Sequence, residues 1–169
     1  MPVIFDPHRE VLFGAISSYT ESGAPSTSEV QYARVELEVG RPVSTLRTYI
    51  HSGGAAGRNV NMGLYDQEDA SDPNGVPRTR LVQTGAVTTD GAAGFMDSPI
   101  TPYFATVNGF HWLAFCTDSE LIQVACTQLL PVGFAPVRSE SGSGANLPAT
   151  ASSMTNPAAA VVYIAAVEG

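Results

Sequence analysis

The sequence predicts an all-β domain, an antiparallel β-sandwich or jelly roll, and three observations carry that prediction. Apolar and polar residues alternate in short runs, the period of a strand with one buried face. Turn residues punctuate the runs, with 16 Gly and 12 Pro in 169 residues. No segment sustains an apolar period of 3.6 residues for more than two turns, so helices are not expected. Apolar residues make up 44% of the chain, enough for a core, and the length suits one domain spanning residues 1–169. A closed barrel has the same alternation and is the alternative architecture.

In order, the first strand is expected at VLFGAISS (11–18), after an N-terminal segment of about ten residues. ARVELEV sets Ala33, Val35, Leu37 and Val39 on one face and Arg34, Glu36 and Glu38 on the other. STLRTYIHS opposes Leu46, Thr48 and Ile50 to Arg47, Tyr49 and His51. After the glycine-rich SGGAAG, RNVNMGLYD gathers Val60, Met62 and Leu64 on one face. Further strands are expected at RLVQTGAV, around Phe95, at FHWLAFC, at LIQVAC and finally at AVVYIAAV, about eight to ten in all. Residues 135–159, rich in Ser, Gly, Ala and Pro, read as a long extended arm before the last strand.

FHWLAFCTDSELIQVAC reads as a hairpin with TDSE as its turn, so Cys116 faces Leu121 and His111 faces Cys126. One side then holds Leu113, Phe115, Ile122, Val124 and Cys126. The other holds Trp112, Ala114, Cys116, Leu121, Gln123 and Ala125. Both sides are largely apolar, so the second needs a cover from a loop, from the arm or from another subunit.

Charge excludes several functions. The basic residues are eight arginines, with no lysine, and the formal charge is −8. A phosphate backbone is repelled by such a chain, so nucleic acid is not an expected partner. Without lysine there is neither Schiff-base chemistry nor a phosphate-loop lysine. The N-terminus MPVIFDPHREVLFG lacks the pattern of a signal peptide, and no apolar run approaches the ~18 residues of a membrane span. The expectation is a protein made in a cytoplasm and soluble there, without a membrane partner.

No residue is nominated as catalytic, cofactor-binding or metal-ligating, and no cofactor is expected. His8, His51 and His111 have no metal-ligand spacing, and His111 is expected to be packed or hydrogen-bonded. SGGAAG and SGSG (141–144) lack the Lys-Ser or Lys-Thr that follows a phosphate loop, and there is no Gly-x-Ser-x-Gly elbow. The loop DQEDASDPNG offers Asp66, Glu68, Asp69, Asp72 and Asn74 as oxygen ligands, but its spacing is not that of a helical calcium hand. It reads as a solvated turn. The hairpin register separates Cys116 from Cys126 by roughly 16 Å at about 3.3 Å per residue, so both are expected as thiols.

Five segments in order, STLRTYIHSG, NVNMGLYDQ, NGVPRTRLVQTGAV, GFHWLAFCTD and NLPATASSM, span roughly residues 29–160. Their succession resembles β-sandwich modules of tailed-phage virions, among them capsid decoration (cement) proteins and tail- or fibre-associated modules. The resemblance implies a non-enzymatic virion component that binds the major capsid protein and stabilises the shell, standing as a homotrimer and needing no cofactor. Its alternative is a receptor- or carbohydrate-binding module of a tail or fibre, with Tyr65, Tyr103, Phe104 and Trp112 stacking on sugar rings.

Overall fold

The fold is that of a computed structural model, which describes residues 10–11, 21–23, 26–52, 56–127, 137–152, 154, 161–162 and 164–168. In chain order its strands are β1 (Glu10–Val11), β2 (Glu21–Gly23), β3 (Glu29–Leu37), β4 (Pro42–Ser52), β5 (Asn59–Tyr65), β6 (Arg80–Gln83) and β7 (Val87–Thr88). There follow β8 (Gly94–Phe104), β9 (Gly109–Thr117), β10 (Gln123–Thr127), β11 (Val137–Ser141), β12 (Val161–Val162) and β13 (Ala165–Glu168). Among the described residues there is no helix. Of the expected first strand only Val11 is described.

Two antiparallel sheets pack face to face. The first runs β1-β13-β4-β10-β12, with β2 on β10 and β8 on β4. The second runs β11-β3-β9-β5-β6, with β7 on β5. No described strand pair joins one sheet to the other, so the molecule is a sandwich and not a closed barrel. Alternation does what it predicts in the long strands. Ala33, Val35 and Leu37 of β3, with Val60, Met62 and Leu64 of β5, point into the core against Leu46 and Ile50 of β4. In β4 the inward parity changes between Val43 and Leu46, because the register slips at Ser44 against both β8 and β13.

The expected hairpin is not formed. β9 lies in the second sheet between β3 and β5, whereas β10 lies in the first sheet against β4, β2 and β12. TDSE therefore carries the chain across the sandwich. Cys116 stands opposite Asn61, and His111 opposite Val35. Leu113, Phe115, Ile122 and Val124 do form one apolar set, but they meet across the core instead of side by side. Period alone cannot distinguish these cases, since both give each strand one apolar side.

The arm also differs from expectation. Its first part is a strand, β11, paired with the edge of β3 from Val137 opposite Ala33 to Ser141 opposite Glu29. The chain then crosses the outer face of the second sheet over residues 142–152, as a strap. Beneath it lies a second apolar cluster of Val30, Tyr32, Tyr65, Trp112, Ala114 and Cys116, closed by Leu147 and packed by Ala151 and Met154. The apolar Cys116 side thus has its cover within one chain. The need for another subunit to shield it disappears.

Candidate interaction surfaces

The strap is fastened by polar contacts along its length. Gly142 N and Gly144 N donate to Ser28 O (2.8 Å) and Thr27 O (2.9 Å), so the SGSG segment is a turn of the strap. Asn61 Nδ2 donates to Ala145 O at 3.2 Å, Tyr65 Oη to Pro148 O at 2.6 Å and Arg80 N to Ala149 O at 2.9 Å. Glu140 is the inner anchor: Tyr32 Oη donates to its Oε1, and Ser152 N donates to its Oε2 at 2.6 Å. Gly63 sits where the strap comes closest. A Cβ there would lie 2.7 Å from Leu147 Cδ1.

This arrangement removes two expected sugar-stacking residues. Tyr65 and Trp112 are fully buried, packed beneath the strap and tied to Pro148 O and Gln67 Oε1 (2.9 Å). Burial makes Tyr32 and Tyr65 weaker acids, their pKa values raised above the ordinary phenol value, and pushes the pKa of the Cys116 thiol up to about 12. Cys116 is a free thiol with no thiolate character, hence no nucleophile. Cys126 lies in β10, and its side chain lies outside the described residues.

Three of the acidic loop's four carboxylates accept from backbone amides, and the fourth, Glu68, is exposed beside Arg78 at 3.8 Å. Asp66 Oδ1 accepts from Thr79 N (2.7 Å), and Asp72 Oδ1 from Asn74 N (2.8 Å). Asp69 Oδ1 accepts from Ser71 N (2.9 Å) and Ser71 Oγ (2.6 Å), and the bond from the Ser71 hydroxyl lowers the pKa of Asp69. Gln67 pins the loop inward, donating to Asp69 O and Asp72 O (3.0 Å). Among the described residues, no three His, Cys, Asp or Glu side chains converge as metal ligands. Gly109 is what lets this loop approach β9, since at φ +147° a Cβ would collide with Ala70 O, the acceptor of Phe110 N.

Of the histidines, His8 lies outside the described residues and His51 is exposed. His111 is buried, as expected for a packed group. Its Nδ1 donates to Gly109 O (3.1 Å), which leaves Nε2 to accept from Tyr103 Oη (3.3 Å). Burial lowers its pKa below the usual imidazole value, favouring the neutral ring.

Two surface features are open to a partner. The first is at one end of the sandwich. Six large apolar side chains are exposed among the described residues, and three of them gather here, Val39 and Val107 on turns and Phe104 at the end of β8. Asn108 Oδ1 accepts from Val39 N at 2.7 Å, and Phe104 pairs with Pro42, which bring the two turns together. Exposed Glu36 and Glu38 border them. The second is the outer face of β4 and β8. Arg47 and Asp97 are cross-strand partners joined by two hydrogen bonds of 2.5 and 2.8 Å. Tyr49 and Phe95, the next pair, meet edge to face at 5.0 Å and 84°, with the Arg47 guanidinium 4.9 Å from the Phe95 ring centre. Phe95 is 55% exposed.

Phe104 was the aromatic residue nominated from sequence that the structure leaves open, whereas Phe95 was placed only as a strand position. Its signal was present: Phe95 and Asp97 share the parity opposite to Met96, Ser98 and Ile100. No family model, no curated protein and no solved structure matches the chain.

Proposed function

We propose that the chain is a non-enzymatic structural component of a phage virion, a decoration (cement) protein that binds the major capsid protein on the outside of the shell and stabilises it. The observation that carries this reading is the apolar tip of Val39, Phe104 and Val107, on a molecule whose Cys116 face is already covered by its own strap. A small apolar anchor suits attachment to a protein surface. Repetition over many copies on one shell supplies the avidity that a single tip lacks. The charge of −8 supports a position outside the packaged genome, which such a surface repels. A trimer, which the resemblance to decoration proteins implies, would have to use a surface other than the Cys116 face. The threefold positions of the shell would themselves bring three copies together.

The test is sedimentation of the purified protein with expanded shells of the phage that encodes it. Stoichiometric binding is expected, with a double variant Phe104→Ser, Val107→Ser bound roughly tenfold more weakly at an unchanged melting temperature. Absence from shells combined with binding to host cells would favour the second reading, a receptor- or carbohydrate-binding module of a tail or fibre. The exposed Phe95 beside Asp97 is the observation on its side.

A further inference from the structure

We propose that the outer face of β4 and β8 is a binding site for neutral glycans, in which the Phe95 ring stacks under one pyranose and the Asp97 carboxylate accepts from that sugar's hydroxyls. The inference assigns a face and a ligand class, and it stands whether the chain sits on a head or on a tail. Four side chains carry it. Phe95 offers apolar ring surface to solvent, and its orientation is held from two sides by the edge contact with Tyr49 and the guanidinium of Arg47. An aromatic ring held in place binds at lower entropic cost than a free one. Asp97 is two residues along the same strand, so it stands on the same face about 7 Å away. That spacing is comparable to one pyranose ring with its hydroxyls.

Asp97 is also fixed for the task. Arg47 Nε and Nη2 each hold one of its oxygens, at 2.5 and 2.8 Å, which sets the plane of the carboxylate. Each oxygen keeps a second lone pair, and the side chain is 49% exposed. Sugars present this combination in reverse: an apolar C–H face to lie on a ring, and hydroxyl donors at its rim for a carboxylate. A protein partner fits less well, because a standard interface buries about 800 Å² per side around an apolar centre. Here one ring is bordered directly by an ion pair.

The charge decides which glycans. The whole chain carries −8, so an acidic polysaccharide approaches against the field while a neutral one does not. The side chain of His51, the next outward position on β4, is exposed along the same row and gives the site a further hydrogen-bonding group at its end.

The experiment uses the full chain, labelled with a fluorophore, on an array of immobilised glucose-, galactose- and mannose-based oligosaccharides with sialylated and uronate-containing glycans beside them. Wild-type protein is expected to be retained by at least one neutral series. Phe95→Ala and Phe95→Leu should each lose retention at least tenfold, Asp97→Asn about tenfold, and Phe95→Trp should restore it, an outcome that a purely structural role for the ring would not produce. Phe104→Ser, at the far tip, should bind glycans like the wild type, so a failed capsid reading and a failed glycan reading are separable. Retention by no neutral glycan overturns the proposal, as does equal retention of Phe95→Ala. Retention of acidic glycans alone overturns the charge argument and the ligand class with it. A mass that grows with concentration and reverts in Phe95→Ala would assign the face to a second copy instead.

Discussion

At the residue level, Gly63 to Gln67, Trp112 and the strap around Leu147 are parts of one packing device. In Gly63-Leu64-Tyr65-Asp66-Gln67, the glycine admits Leu147, the leucine enters the core and the tyrosine holds Pro148 O. The aspartate then closes the loop on Thr79 N, and the glutamine links that loop to Trp112. The sequence shows the core side of such a strand through alternation. It does not show what Tyr65 touches, because that partner lies 83 positions away in an irregular segment. Three buried acids follow from this packing, Tyr32, Tyr65 and Cys116, each with its pKa raised by burial. The unfolded chain releases these protons near about 8.5 for the thiol and about 10 for the phenols, while the folded chain retains them. Above those values the folded state binds more protons than the unfolded one, so stability is complete below about pH 8.5 and falls as pH rises. The melting temperature should therefore decline through the alkaline range, and Cys116→Ala should remove the earliest part of the decline. A flat profile would mean that solvent already reaches these groups.

At the level of elements, strand positions were legible and their partners were not. β3, β4, β5 and β9 fall where alternation put them and most of their inward residues are those it selected, but Val39 lies past the end of β3 and is exposed, and Val43 enters the core ahead of the slip at Ser44. The crossing of TDSE between sheets was hidden because a short polar link serves a hairpin and a sheet-to-sheet connection equally well. The arm at 135–159 was hidden for another reason: its fastening is by backbone carbonyls and amides, which carry no sequence signal. Glu140 is the exception, a single buried carboxylate that receives Tyr32, Ser152 N and Ser152 Oγ. Glu140→Gln replaces an acceptor by a donor on one side, so the Tyr32 hydroxyl must turn from donor to acceptor and the bonds to a buried carboxylate become neutral ones. A loss of about 1–3 kcal/mol is expected. Limited proteolysis should cut residues 142–152 sooner in this variant than in the wild type, with the sheet signature in circular dichroism intact. Equal cleavage would show that Leu147 and its apolar neighbours hold the strap unaided.

For the whole molecule, the sheet face that argued for an oligomer is covered from within, so the isolated protein should be a monomer. Light scattering is expected to give one chain's mass, 17.7 kDa, over a wide range of concentration. A mass of three chains would point to association through another surface, with the exposed tip and the Phe95 face as the places to mutate. The arrangement of the sheets has a further consequence, which concerns the order in which the protein is made. β13 lies beside β4 in the first sheet, and the strap that covers the second sheet runs through residues 142–152. A chain emerging from the ribosome can pair β3 with β9 and β5 with β9 long before either late piece exists. Until then Trp112 and Tyr65 stand bare and β4 lacks one of its neighbours. Strand pairing between distant segments is slow even in a finished chain. During synthesis it has to wait for translation itself, and in that interval the nascent sheet depends on chaperones or on the spacing of ribosomes to keep it from its neighbours.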